Sequence, residues 1–188
     1  MAAINTPVCN FGDDDKPFQL KATDGKIYTL EDVRGPNGTL IMFICNHCPF
    51  VQAIVDRIAR DAKELQAKGI GVAAIMSNDT EMYPDDSFEN MVTFAKAHGF
   101  TFPYMIDKTQ EVAKAYDAVC TPDFFGYNAD LELQYRGRLD ESRMEPAAPD
   151  APRELFEAMC QVAETGKGPE NQTPSIGCSI KWGSEAAA

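Results

Sequence analysis

Six cysteines, at positions 9, 45, 48, 120, 160 and 178, are the side chains of this sequence best suited to covalent chemistry. Two of them form a C-x-x-C, Cys45-Asn46-His47-Cys48, followed directly by Pro49. Thiols at that spacing can work as a dithiol–disulfide couple or can ligate a soft metal. The stretch before them, Thr39 to Ile44, is apolar on both faces and reads as a buried strand. The stretch after them reads as an amphipathic helix, so the pair stands at a strand-to-helix junction. Proline suits the first helical position, where its missing N–H costs nothing, and this puts Cys48 at or near the N-cap. Unpaired N–H groups and the positive end of the helix dipole favour a thiolate there. His47 adds positive charge when protonated. Cys48 is therefore expected to be the more acidic thiol, below the ordinary value of about 8.5. The bland alternative is a pair of inert, buried cysteines, and the helix-opening proline argues against it.

The elements that must position this pair follow from periodicity. Residues 17–30 read as a hairpin: Phe18, Leu20 and Ala22 alternate with polar residues, Asp24-Gly25 turns the chain, and Ile27, Tyr28 and Leu30 return. Pro36-Asn37-Gly38 is a break before the buried strand. The helix opened by Pro49 is expected to run unbroken to Gly69, with Val51, Ile54, Val55, Ile58, Ala62 and Leu65 on one face. Ile70 to Met76 reads as a second buried strand. After a polar loop, Asp86 and Glu89 have capping-box spacing for a helix carrying Phe88, Met91, Val92 and Ala95. A short strand from Phe102 to Ile106 and a small helix over 109–117 come next. Phe124 to Tyr127 and Leu131 to Tyr135 read as a second hairpin around Asn128-Ala129-Asp130. A last helix over 151–165 turns Leu155, Phe156, Met159 and Val162 inward. Strands alternating with helices imply an α/β fold with a central mixed sheet covered on both faces. We expect one domain over 1–168 and a C-terminal tail, 169–188, packing back on it. The tail carries Ile176, Cys178, Ile180 and Trp182 in alternation, which implies one apolar edge laid against the domain.

The chain has 188 residues, enough to bury a core without disulfide staples. It is 44% hydrophobic and 24% charged, the balance of a globular protein. Lys plus Arg is 17 against 29 Asp plus Glu, a net charge of −12. That argues against nucleic-acid and anionic-membrane partners, which require basic patches. The first residues show no basic and apolar leader, so the expected location is cytoplasmic. In that compartment six cysteines point to redox chemistry or metal binding rather than a disulfide framework.

Three segments carry a family resemblance: FICNHCPF at 43–50, VCTPDFF at 119–125 and PSIGCSIKW at 174–182. The sequence resembles the thioredoxin-fold superfamily and, more closely, its peroxiredoxin-like, AhpC/TSA-type branch of thiol oxidoreductases. The resemblance covers roughly residues 15–165. It implies a thioredoxin-like fold with an N-terminal β-hairpin, and a Thr121-Pro122 cis-proline loop facing the redox cysteines. It further implies a thiol–disulfide oxidoreductase or peroxiredoxin-like antioxidant protein that needs no cofactor. The partners would be a protein or small-molecule disulfide, or a peroxide, and a thiol reductant. A thioredoxin-type alignment makes Cys45 the attacking thiol. Alignment on His47-Cys48-Pro49, or on the peroxiredoxin T-x-x-C, chooses Cys48, as does the helix argument. The sequence departs from peroxiredoxins where Cys45 replaces the peroxide-orienting Thr, and where no Arg matches near 119–125, so disulfide exchange is the safer reaction.

Cys120, one residue from the presumed cis bond, is either a further resolving thiol or a buried apolar residue. Cys178 is either a third redox partner or an idle thiol. Cys160 reads as core and Cys9 as incidental. Arg136 and Arg138 read as surface ion pairs, and the acidic residues at 13–15 and 85–86 as solvated loop charges. A second function class stays open. Cys45, His47, Cys48 and Cys120 or Cys178 form a soft ligand set that would suit a Zn²⁺ or Cu⁺ module.

Overall fold

A computed structural model describes residues 2–184. Residue 1 of the expected domain and residues 185–188 of the expected tail lie outside the described residues. The chain runs β1 (Ala3–Asn5), β2 (Gln19–Ala22), β3 (Ile27–Thr29), α1 (Leu30–Val33), β4 (Gly38–Phe43), α2 (Pro49–Gln52) and α3 (Val55–Ala67). It continues with β5 (Ile70–Met76), α4 (Phe88–Ala97), β6 (Tyr104–Ile106), α5 (Glu111–Tyr116) and β7 (Cys120–Thr121). It ends with β8 (Asp123–Tyr127), β9 (Leu133–Tyr135), α6 (Glu154–Thr165) and β10 (Ile176–Ser179). Among the described residues no helix is long and apolar enough to cross a membrane.

Seven strands form the central sheet in the order β3-β2-β6-β5-β4-β8-β9. β4 pairs parallel with β5, and β5 with β6; the other pairs are antiparallel. β4 is buried along its whole length, as its unbroken apolar run requires. Its side chains alternate between two cores. Leu40 and Met42 face the layer of α3, α4 and α6, with Ile58, Leu65, Met91 and Leu155. Ile41 and Phe43 face the layer of α1 and α5, with Val33, Ala113 and Tyr116.

Four expectations are corrected. The helix after Pro49 is not continuous. Ile54 bonds back to Val51 rather than to Phe50, and the helix restarts as α3 beyond it. Apolar periodicity runs through this tightened turn, so the break leaves no mark in the pattern. The cap of α4 is Ser87, whose hydroxyl accepts from the Asn90 N–H at 3.3 Å. Asp86 belongs instead to a short 3₁₀ turn and is fully buried, not a solvated charge. Arg136 is likewise buried, paired with Asp123 at 3.0 Å and lying over the Phe125 ring. Arg138 keeps a half-exposed pair with Glu154 at 2.9 Å.

A second, three-stranded sheet, β1-β10-β7, closes over the C-terminal end of β4. β10 lies within the tail. Cys178 pairs with Thr121 on one side and with Ala3 on the other. A side chain at Gly177 would fall 2.0 Å from the Thr121 carbonyl oxygen, so only glycine lets the two backbones approach this closely. Ser175 Oγ donates to the Pro122 carbonyl at 2.7 Å, and the Lys181 N–H to Asn78 Oδ1 at 2.8 Å. Beyond the strand, Ile180 is buried in the second core and Trp182 packs against it.

Candidate active site

The end of β4 delivers Cys45 and the start of α2 delivers Cys48. Cys48 is the N-cap, in extended conformation, and Pro49 takes the first helical position. The Val51 and Gln52 N–H groups bond to the Cys48 carbonyl, at 3.0 and 2.9 Å, so the helix begins on this residue. The Thr121-Pro122 peptide bond is cis, and the loop it shapes faces both thiols. When protonated, Cys48 Sγ donates to the Thr121 carbonyl at 3.2 Å, and Cys45 Sγ lies 3.5 Å from the Thr121 hydroxyl. All three side chains are buried, with Cys48 at 0% and Cys45 at 1% exposure.

The two thiols are electrostatically unlike. A hydrogen bond from the Cys45 thiol lowers the Cys48 pKa to about 5. Burial opposes this, and bonds from Thr121 and Cys178 add to it. That same bond to Cys48 raises Cys45 well above the ordinary range, and burial and the Asp86 charge push it further. Both shifts follow from one fact. Two neighbouring sulfurs cannot both ionise, and the one at the helix start takes the charge.

Beneath the turn lies a polar network. The Asn46 N–H donates to Asp86 Oδ1 at 2.8 Å, and Asn78 Nδ2 donates to Asp86 Oδ2 at 2.9 Å. Tyr104 Oη donates to Asn46 Oδ1 at 2.8 Å, and Gln52 Nε2 to the Asn46 carbonyl at 3.0 Å. Asn46 is thus pinned from three sides, which fixes the turn between the cysteines. His47 Nδ1 sits 2.6 Å from Asp86 Oδ2, bent away from hydrogen-bond geometry, and its ring stacks on Tyr83. Sequence reasoning missed Asp86, Asn78 and Tyr104. An Asp-Asp pair in a polar loop carries no sign of burial, because its partners come from distant segments.

Cys45, His47 and Asp86 each offer a ligand atom within 4.8 Å of the others. Both Asp86 oxygens already accept hydrogen bonds, and Cys48 is outside that group. The donor set therefore does not favour a metal. Cys120 Sγ donates to the Pro122 carbonyl at 3.6 Å, and burial pushes its thiol up. Cys178 stands beside Cys48 from the β10 side. Cys160 is partly buried against the first core and Cys9 against the second, both away from the pair.

The sequence profile of the AhpC/TSA family matches residues 11–141. The chain belongs to the AhpC/TSA family. An uncharacterized conserved protein from Geobacillus kaustophilus, of solved structure, is 47% identical to this AhpC/TSA member. The two superpose with a TM-score of 0.92 over 98% of each chain. The thiol-disulfide oxidoreductase ResA of Bacillus subtilis is 26% identical over 117 residues, 62% of this chain. The chain spans 61% of the length of that curated relative. The thioredoxin domain of a thiol-disulfide oxidoreductase from Bacteroides vulgatus matches with a TM-score of 0.57. It is 14% identical, over 71% of this chain and 89% of that one, a likeness of fold. The fold is thioredoxin-like, with its mixed sheet between helical layers.

Proposed function

We propose that this chain is a thiol-dependent oxidoreductase that exchanges disulfides through Cys45 and Cys48, with Cys48 as the attacking thiol. The observation that carries the reading is the placement of the Cys48 sulfur at the start of α2, paired with Cys45 against the cis Thr121-Pro122 loop. That setting favours a Cys48 thiolate beside a protonated Cys45. The Cys48 thiolate attacks one sulfur of a substrate disulfide. A Cys48–substrate S–S bond forms, and the other substrate sulfur leaves as a thiolate that takes up a proton. Cys45 then loses its proton and attacks Cys48 Sγ, which releases the second substrate thiol. The protein is left with a Cys45–Cys48 disulfide, and the substrate has gained two electrons. A reductant restores the pair: one of its thiolates opens the Cys45–Cys48 disulfide, a second thiol resolves the mixed disulfide, and the reductant leaves oxidised.

Thr121 and Pro122 form the wall against which the reacting sulfurs are held. Asn46 and Asp86 keep the turn rigid, and His47 lies on its outer side with partial access to water. Cys120 backs the loop. A peroxide is the less favoured substrate, because Cys45 stands where a peroxide-orienting hydroxyl would be needed. The reading includes a cytoplasmic setting, where a reducing compartment would keep the separate thiols Cys9 and Cys160 free.

Trapping tests the reading. The Cys45→Ser variant with Cys178 also changed to serine, incubated with a disulfide-bonded protein mixture, should accumulate mixed disulfides at Cys48. Native protein should show a transient Cys45–Cys48 disulfide by peptide mapping. Adducts that form on Cys45 in a Cys48→Ser variant, but never on Cys48, would reverse the roles.

A further inference from the structure

The attacking thiol is sealed. Cys48 has 0% exposure and Cys45 1%, and β10 lies across them, fixed to β7 on one side and β1 on the other. A protein disulfide cannot reach Cys48 while β10 is in place. β10 places its own cysteine at the closing point. Cys178 is opposite Thr121, the residue that touches both Cys48 and Cys45. Side chains alternate along a strand, so Cys178 faces the core with the pair while Ser179 faces away. Cys178 is buried in the same core cluster as Cys45 and Cys48. At 5% exposure Cys178 is the least buried of the three cysteines.

We propose that Cys178 is a relay thiol through which the sealed Cys45–Cys48 couple exchanges electrons with a dithiol reductant. The proposal rests on the disulfide-exchange reading above and adds an ordered route to it. Starting from the Cys45–Cys48 disulfide, Cys178 loses its proton and attacks Cys48 Sγ. The Cys48–Cys178 bond forms, the Cys45–Cys48 bond breaks, and Cys45 leaves as a thiolate that takes up a proton. No electrons enter or leave in this step. β10 then loosens at its outer edge, and Cys178, the more exposed partner of the new bond, is the one an external thiol meets. A thiolate of the external dithiol attacks Cys178 Sγ, and Cys48 leaves as a thiolate. The second thiol of the reductant frees Cys178, so two electrons enter and the reductant becomes a disulfide. The direction of the external attack is set by the leaving group. Cys48 is the most acidic of the three thiols, and the more acidic sulfur leaves faster.

The experiment uses the full chain, oxidised with diamide, mapped by peptide mass spectrometry, and then reduced with thioredoxin under stopped-flow conditions. Native protein should contain both Cys45–Cys48 and Cys48–Cys178 disulfides. Cys45→Ser should form Cys48–Cys178 alone. Cys178→Ser should form Cys45–Cys48 normally but be reduced about tenfold or more slowly. Reduction of Cys178→Ser at the native rate, or free Cys48 and Cys178 in oxidised Cys45→Ser, overturns the relay and leaves the disulfide-exchange reading standing. Absence of any Cys45–Cys48 disulfide in native protein and in Cys178→Ser overturns both.

Discussion

Replacing Cys45 by alanine removes the hydrogen bond that most strongly holds Cys48 as a thiolate. With that bond the Cys48 pKa is lowered from 9.0 to about 5. Without it, burial is the largest remaining influence and acts the other way, so the pKa should rise toward the ordinary value of about 8.5. At pH 5.5 a thiol of pKa about 5 is roughly three-quarters ionised, and one of about 8.5 is ionised to about 0.1%, roughly 800-fold less. Intrinsic nucleophilicity works against this difference. A Brønsted slope of about 0.45 makes the less acidic thiolate about 40-fold more reactive. Alkylation of Cys48 in Cys45→Ala should therefore be about 20-fold slower at pH 5.5. At pH 7 the two effects nearly cancel and the rates should be about equal. A single rate at neutral pH would miss the change, so the assay is a pH profile. Iodoacetamide labelling of Cys48 is followed by peptide mass spectrometry, with ultraviolet thiolate absorbance alongside. Cys45→Ser keeps a hydroxyl donor and should retain much of the low midpoint. A Cys45→Ala variant whose Cys48 still titrates near the native midpoint would refute the reasoning. The helix start, Thr121 and Cys178 would then hold the charge without Cys45.

Gly177→Val should force β10 off β7, because its Cβ would lie 2.0 Å from the Thr121 carbonyl oxygen and 2.6 Å from its carbon. The expected readout is faster reaction of Cys48 with Ellman's reagent, and an unchanged rate would show that β10 does not shield it. Asp86→Ala strands the Asn46 N–H and the Asn78 amide in a buried site, at about 1–3 kcal/mol each. Urea unfolding should show the loss, and a change within about 0.5 kcal/mol would contradict the network. The reduced protein should gain stability as pH rises from about 5 toward 9.0, because Cys48 is ionised when folded and protonated when unfolded in that window. The gain is lost as pH falls through the folded pKa. Above 9.0 the raised thiols Cys45 and Cys178 act in the opposite sense. Thermal melts of Cys48→Ser should lack the rise between those limits; an equal rise there would assign it elsewhere.

Much of the site is legible in the amino-acid sequence. A C-x-x-C followed by proline, set between an apolar run and an amphipathic one, states its own geometry. The N-cap position of Cys48 follows from Pro49 alone. Strands and hairpins are legible because their periodicity is local, as at Phe18, Leu20 and Ala22. The residues that sequence misplaces are those whose environment is made by distant segments. Asp86 looks solvated by its neighbours Asp85 and Ser87, yet Asn46, His47 and Asn78 enclose it. Arg136 looks like a surface charge beside Arg138, but Asp123 and Phe125 arrive from the adjacent strand and bury it. The break between α2 and α3 is hidden for the opposite reason. Its residues keep a helical spacing of apolar side chains, and only the hydrogen bonds change.

The chain passes from β7 to β8 through Pro122 alone, and β7 and β8 belong to different sheets. Proline has no N–H, so at this crossing the two sheets are joined by covalent backbone without a shared ladder bond. Opening the small sheet breaks the Ser175–Pro122 and Lys181–Asn78 bonds but no rung of the central ladder, so it can open as one cooperative unit while that ladder stays zipped. Native-state amide exchange should divide along that line. The amides of β1 and β10 should exchange together, at a lower opening free energy than those of β4 and β5. A thiol enclosed by such a unit reacts at the rate of local unfolding, so the temperature at which the protein is assayed, as much as its chemistry, would set its turnover.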